Sequence, residues 1–453
     1  MFKPQKNSTF LVLASTLILL FVGCRATHNQ TVIPSEWKGY FNAPPTNKNY
    51  LASNQKHKIL VAIIDSGVDY NHPLLQEHVH YDLDDSDKAI GAGWDFVGND
   101  SWPLPYLART QHLYKTDKTT DLKKADEQLT KNIAHLIKKQ PELARWLHPH
   151  RHHEDEDSQS IYHGTHVAAL AAYDDARIGL LPYRILPDQE NLDGKLHNTL
   201  DYFYNSLEAA ITKAHSAGAK VVNLSVGHTF AESENDAKHK IELFKKFEIL
   251  VNKYPDMIFV AAAGNEGTWV NSETRYSFPC GVKASNMLCV SAVNKNWSPS
   301  EFTNIPLISS PLVFAPGEKI LSPFPYQYCK SSRMDFVNGT TTIAELDKQS
   351  GKILQDCKEQ SSTIQPLSGT SMATPIIARA ISQLAMEVDP STPADQIIQA
   401  FIGRSEKVQM GPMSLTKFKL PLPSWYPRDA ETQGLGLQPN STRRGYFEFY
   451  LNQ

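Results

Sequence analysis

Three short stretches of this chain combine residue types that can move protons or attack a carbonyl. In "HPHRHHEDEDSQSIYHGTHVAALAA", from His148, six histidines and four acidic residues share about two dozen positions. Imidazoles at that density suit a metal site, a pH-responsive surface or a single catalytic base. No H-E-x-x-H motif, which would set two zinc ligands on one helical turn, occurs among them. In "LSGTSMATPIIARAISQLAM", from Leu367, a glycine precedes Thr370 and Ser371, and a helical apolar pattern follows. Ser371 is thereby placed at a helix N-terminus, where free backbone N–H groups and the helix dipole favour negative charge. That environment suits a nucleophile whose attack creates an oxyanion; a plain N-cap serine is the ordinary alternative. Pro375 in the first turn fits either reading. The third stretch, "KILVAIIDSG", delivers Asp65 at the end of a continuous apolar run.

The elements that must position these residues read as alternating strands and helices. "KILVAIIDSG" is a buried parallel strand feeding a loop. "SLEAAITKAHSAGAKVVNLSVG" reads as an amphipathic helix, a stop at Gly218 and a second buried strand. "FEILVNKYPDMIFVAAAGNEG" repeats that phrase, and "SNMLCVSAV" and "PLVFAPGEKI" add further short strands. This alternation predicts an α/β fold, a doubly wound, mostly parallel sheet with helices on both faces. Function in such sheets collects at the carboxyl ends of strands. Asp65, the glycine after Val226 and Asn265 all fall there. Two segments break the rhythm and read as surface insertions. Residues from about 99 to 158 are highly charged, with a helix expected near "DLKKADEQLTKNIAHLIKKQ" and then the histidine tract. Residues from about 323 to 366 contain "MDFVNGTTTIAELDKQSGKIL", whose alternation and turn signals predict a β-hairpin. Insertions of this kind cost little, because loop-closure entropy grows slowly with length.

With 453 residues, a net charge of −3, 41% hydrophobic and 21% charged residues, the chain can bury a large core. The near-neutral balance argues against a nucleic-acid partner. The start, "MFKPQKNSTFLVLASTLILLFVGC", has Lys3 and Lys6 before an apolar run from Phe10 to Val22. That run suits a signal-peptide core better than a membrane span. Its ending resembles a bacterial lipoprotein processing site, with lipid expected on Cys24 and residues 1–23 removed. The position three before that cysteine is usually Leu and here is Phe21. An ordinary cleaved signal and an uncleaved anchor are the alternatives, and all three imply export to the cell envelope or beyond. Residues 24–55 read as a polar linker. In an oxidising compartment the remaining cysteines suggest two disulfides, Cys280 with Cys289 and Cys329 with Cys357.

Five motifs together resemble the subtilisin-like serine peptidases, in that family's order. "VAIIDSGVDYNHPLL" is similar to the aspartate motif, "HGTHVAAL" to the histidine motif and "GTSMATP" to the serine motif. "AAAGNEG" resembles the segment supplying the oxyanion-hole asparagine, and "NLSVG" the strand lining the specificity pocket. The resemblance covers about residues 56–400. It implies a catalytic triad of Asp65, His163 and Ser371, with Asn265 in the oxyanion hole. It further implies a roomy, mainly apolar pocket walled by Ser225, Val226 and Gly227 on one side and Ala262, Ala263 and Gly264 on the other. His166, one turn after His163, is expected to be structural, and the upstream histidine tract to be a polar loop.

The expectation is therefore a peptidase domain over residues 56–405, carrying both insertions and followed by an extension over 406–453. Its activity would be that of a serine endopeptidase acting on protein or peptide, monomeric, and tethered to a membrane through lipid on Cys24. The alternatives are a catalytically silent peptidase-like binding protein and a metal-binding envelope protein that uses the histidine tract. No cofactor is required for the chemistry. The chain departs from the family in the long gap between Asp65 and His163, in Ala169 where glycine is usual, and in having only about thirty residues between Cys24 and the first strand. The connection that commonly supplies calcium ligands after the histidine helix is also short. Structural calcium is therefore expected, if at all, at the acidic clusters Asp82 to Asp87 or Glu154 to Asp157.

Overall fold

The structure is a computed structural model that describes residues 50–105, 131–132, 134–145, 162–186, 200–231, 237–270, 275–306, 311–325, 342–360, 364–404, 406–410, 413–421 and 446–452. Cys24, Cys329, the histidine tract at 148–153 and the Glu154–Asp157 cluster lie outside those residues. In chain order the strands are β1 (Ile59–Asp65), β2 (Asp82–Leu83), β3 (Ala89–Gly91), β4 (Trp94–Asp95), β5 (Ile178–Arg184), β6 (Val221–Leu224), β7 (His228–Ala231), β8 (Ile258–Ala262) and β9 (Trp269–Val270). They continue with β10 (Arg275–Phe278), β11 (Met287–Val293), β12 (Ile305–Pro306), β13 (Leu312–Pro316), β14 (Ile320–Pro323), β15 (Ile364–Leu367), β16 (Glu406–Met410), β17 (Met413–Pro421) and β18 (Tyr446–Asn452).

Ten strands form the main sheet, in the order β16-β17-β18-β13-β11-β8-β6-β1-β5-β4. The run from β13 to β4 is parallel throughout. The C-terminal strands β18, β17 and β16 extend the β13 edge in antiparallel fashion. β1 pairs with β5 on one side and β6 on the other, so the winding reverses at β1. Asp65 sits at the carboxyl end of β1, the position at which sheets of this kind commonly place function.

The period-2 geometry of a strand sends alternate β1 side chains to opposite faces. Val61 and Ile63 enter a core with the helices His163–Ala172 and Thr370–Ala385. Ala62 and Ile64 enter a second core with the helices Leu200–Ser216 and Ala237–Lys253. Every residue of the first of these helices after His163 is buried, which its apolar sequence "GTHVAALAA" permits. Beside β1, Arg184 at the end of β5 donates to Asp95 of β4 at 3.0 Å, both fully buried. Two backbone N–H groups, of Val97 and Gly98, donate to the other Asp95 oxygen. A buried ion pair needs this additional hydrogen bonding to offset its desolvation.

Two expectations about local structure resolve differently. The described part of the expected hairpin is helical instead: the sequence from Ile343 to Gln360 is an α-helix, contrary to the alternation read there. Leu346, Ser350 and Ile353 are buried, a spacing of four and then three that lies on one helical face. Helical burial, together with strong helix formers such as Ala344, Glu345, Lys348 and Gln349, outweighs the weak strand pattern. The antiparallel pair in this region is formed by the insertion's two ends, β14 with β15. The Cys280–Cys289 disulfide is present, with Cα atoms 5.1 Å apart.

Histidines near the start of the domain are held neutral by burial. Burial lowers His72 from 6.5 to about 4. It does the same to His57, which the neighbouring His80, His78 and Lys56 disfavour further. Such groups stay neutral in the fold but take up protons in the unfolded chain below about pH 6.5. Their contribution to stability is therefore complete above pH 6.5 and declines as pH falls toward 4. Stability measured by urea unfolding should drop between pH 7 and pH 4.5. The substitution His72→Asn, which can keep the acceptor used by the Leu74 N–H, should remove about 2 kcal/mol of that drop.

Candidate active site

The chain leaves β1 at Asp65, which is fully buried. One carboxylate oxygen, Oδ1, accepts from the Ser66 N–H at 2.7 Å and lies 2.7 Å from His163 Nδ1. Oδ2 has no hydrogen-bond partner among the described residues. Ser66 Oγ accepts from the Gly164 N–H, and Thr165 Oγ1 accepts from the Asp69 N–H. The loop after β1 is thus stitched to the first turn of the His163–Ala172 helix. Gly164 is required by close approach, since a Cβ there would collide with the Gly67 carbonyl oxygen.

Burial alone would lower the His163 pKa; the charge of Asp65 and its hydrogen bond outweigh burial and raise it above 6.5. The Nδ1–H points at the carboxylate, which leaves Nε2 as the basic nitrogen. His166 behaves in the opposite way. Buried between β14 and β15, its Nε2 faces the Ile320 carbonyl at 2.9 Å and that of Gln365 at 3.2 Å, and burial pulls its pKa down to about 3. It fastens the β14–β15 pair to the His163 helix, as does Ser322 Oγ donating to the His166 carbonyl.

Ser371 is the second residue of the helix Thr370–Ala385. Two loops at carboxyl ends of the sheet are clipped to this helix start. From the loop after β6, Ser225 Oγ donates to the Ser371 carbonyl at 2.8 Å, and Ser371 Oγ donates to the Ser225 carbonyl at 3.1 Å. From the loop after β8, the Gly264 N–H donates to Thr370 Oγ1 at 3.2 Å. Asn265 Oδ1 accepts from the Thr370 N–H at 2.8 Å and from Thr370 Oγ1 at 3.0 Å. With Oδ1 committed, the Asn265 Nδ2 donors remain unused among the described residues and sit at an exposed position. Among the described residues no hydrogen bond joins Ser371 to His163; the serine hydroxyl is turned to Ser225.

Of the expected pocket residues, Ser225, Gly227 and Gly264 lie on these loops. Val226 and Ala263 are buried in the core on the far face of the sheet, and Ala262 closes β8. Gly227 lies against the Phe278 carbonyl, and Ser277 Oγ donates to the Ala263 carbonyl at 2.6 Å. Several residues that shape the site carry no motif signal. Asn304 Oδ1 accepts from the N–H groups of Glu266 and Thr268, while its Nδ2 donates to Ala263, Thr229 and Glu266. It holds the Gly264–Thr268 loop from forty residues away, a distance over which a single sequence gives no pairing. Thr370 and Ser66 stood beside assigned residues, and adjacency was the one available signal. Among the described residues no group of three or more His, Cys, Asp or Glu could hold a metal ion.

The structure presents a doubly wound parallel sheet with a buried Asp–His contact at its switch point and a serine in the first turn of a helix to which neighbouring loops are clipped. The chain belongs to the subtilase family, peptidase family S8, whose sequence profile matches residues 56–418. It is 25% identical to thermitase of Thermoactinomyces vulgaris over 331 residues, covering 72% of this chain and 75% of that one. Similar solved structures include a lanthipeptide protease, with 16% identity, a TM-score of 0.46, and 83% and 89% of the two chains covered. A cold-adapted subtilisin-like serine proteinase matches with 15% identity, a TM-score of 0.44, and 79% and 85% covered.

If His163 acts as a base it must be neutral, so activity should fall as pH drops through a pKa raised above 6.5. The acid limb of kcat/KM should lie above pH 6.5. Asp65→Asn should lower kcat by about 10⁴, because the imidazole loses its tautomer and its charge partner. A limb unchanged in that variant would show that Asp65 does not set the titration of His163.

Proposed function

We propose that this protein is a serine endopeptidase that hydrolyses peptide bonds through Asp65, His163 and Ser371. The observation that carries the reading is the 2.7 Å contact between His163 Nδ1 and the buried Asp65, within a family of serine peptidases. On substrate binding Ser371 Oγ exchanges its bond to Ser225 for one to His163 Nε2; catalytic hydrogen bonds commonly tighten in this way only in the complex. Oγ attacks the scissile carbonyl carbon as its proton passes to Nε2, and Asp65 stabilises the imidazolium. The oxyanion takes hydrogen bonds from Asn265 Nδ2 and the Ser371 N–H at the positive end of the helix. Collapse breaks the C–N bond, and the leaving amine takes the proton from His163. Water then repeats the sequence on the acyl-enzyme and regenerates Ser371.

Ser225, Gly227 and Gly264 would bound the pocket for the residue before the scissile bond, with Val226, Ala262 and Ala263 as the backing that spaces its walls. The substrate is protein or peptide, and the chemistry needs no cofactor. Calcium, if bound, would be structural. Export with lipid on Cys24 remains part of the proposal; the apolar run ending in "FVGC" supports it, and a Cys280–Cys289 disulfide fits an oxidising compartment.

Incubating the protein lacking residues 1–24 with a fluorophosphonate probe tests the reading. The wild type should label and Ser371→Ala should not. Asn265→Ala should still label but lose about 10²–10³ in kcat, a size measured for this donor in subtilisin itself rather than derived from this geometry. A folded wild type that fails to label would rule out an active peptidase.

A further inference from the structure

β6 reads Val221, Val222, Asn223, Leu224, and all four residues are buried. A central parallel strand covered on both faces is ordinarily apolar throughout, because a buried amide is costly unless its hydrogen bonds are made. Asn223 nevertheless sits fully buried between β1 and β8, opposite Ile63 and Val260. Side-chain alternation puts it on the face of Val221, which enters the core shared with Met372, Ala373 and Ile376 of the Ser371 helix. Its Nδ2 donates to Ser225 Oγ at 3.0 Å, and its Oδ1 takes no donor among the described residues.

Proton counting fixes the direction of that bond. Ser225 has one hydroxyl proton, and it goes to the Ser371 carbonyl at 2.8 Å. Ser225 Oγ can then only accept from Asn223, so the amide nitrogen must face it. Turning the amide over would set two oxygens together with no proton between them.

The Ser371 carbonyl depends on this outside donor. Within a helix it would accept from the N–H four residues on, but that residue is Pro375, which has none. Ser225 supplies the missing bond from the loop after β6. Ser371 is therefore held from both sides: the Thr370 N–H before it by Asn265 Oδ1 at 2.8 Å, and its own carbonyl by Ser225. Since Ser371 Oγ also donates to the Ser225 carbonyl, a displaced Ser225 displaces the reacting hydroxyl.

We propose that Asn223 is a positioning residue for Ser371: from inside the sheet it fixes the Ser225 hydroxyl, which holds the Ser371 carbonyl in place of the bond that Pro375 cannot make. The role rests on the peptidase reading and deepens it. Asn223 acts through Ser225 and not on the substrate. The Ser371 Oγ and N–H must meet the carbonyl carbon and its oxyanion in one geometry, so a loosened helix start slows turnover more than it weakens binding.

The test is a double-mutant cycle on Asn223→Leu and Ser225→Ala, with rates taken per folded molecule on a peptide chosen by profiling. Leucine has the outline of asparagine without its donor, and it suits an apolar strand. Stability to urea in Asn223→Leu should match or exceed that of the wild type, while kcat falls about 10- to 100-fold and KM stays within about twofold. Fluorophosphonate labelling should slow by the same factor as kcat. Ser225→Ala should show a similar loss, and the double variant should be no slower than the slower single one, because Asn223 has nothing to act through once the hydroxyl is gone. If leucine prevents folding, Asn223→Ala takes its place in the same cycle. Additive losses, a change in KM alone, or an unchanged kcat would overturn the proposal. A folded wild type that fails to label defeats the peptidase reading and this role with it; a wild type that labels beside additive variants defeats this role alone.

Discussion

A fully buried carboxylate against an imidazole is the constraint on which this structure turns. Asp65 is held at the end of a central strand with one oxygen shared by Ser66 and His163 and the other without a donor among the described residues. Such a charge is tolerable only if a cation can form beside it. The surroundings ensure that one can: Gly164 lets the helix bearing His163 approach the β1 loop to backbone contact, and Ser66 and Thr165 pin that approach from both sides. The raised pKa of His163 is the electrostatic result.

The Ser371 side is built by a different device. The Thr370–Ala385 helix begins where the loops after β6 and β8 converge, and its first residues serve as their anchor. Ser225 and Ser371 exchange hydrogen bonds, while Thr370 engages both Gly264 and Asn265. By occupying Asn265 Oδ1, Thr370 orients the amide so that its donors face outward. Asn304 supports this loop from behind. Preorganised donors of this kind do not have to reorient when charge develops, which is why they are effective in catalysis.

Around this centre the chain adds material at two kinds of place. The C-terminal strands continue the sheet at β13, far from β1 in strand order. The two insertions emerge next to His163 and before Ser371, where long connections are most able to affect ligand access. His166, kept neutral by burial, ties the base of the second insertion to the histidine helix. One side chain thereby links the His163 helix to the β14–β15 pair.

Much of this was legible in the sequence, because the signals are local. Continuous apolar runs such as "ILVAIID" and "MIFVAAA" require burial on both faces, and intervening amphipathic stretches require a helix between parallel strands. Asp65, His163, Asn265 and Ser371 were identifiable because each lies in a motif whose neighbours are constrained by backbone geometry, as Gly164 is. The second insertion was misread: its alternation was real, but helical propensity and a buried face at Leu346, Ser350 and Ile353 prevailed. Residues such as Ser277, Asn304 and Asp347 act across fourteen, about forty and more than two hundred positions, where no periodicity reaches. The sequence by itself determined the elements, their order and the reactive residue types, since these follow from spacing along the chain. The tertiary structure alone decided which loops meet at the Ser371 helix, how Asp65 shifts His163, and that Asp347 meets His135, because those depend on contacts that exist only once the sheet has wound.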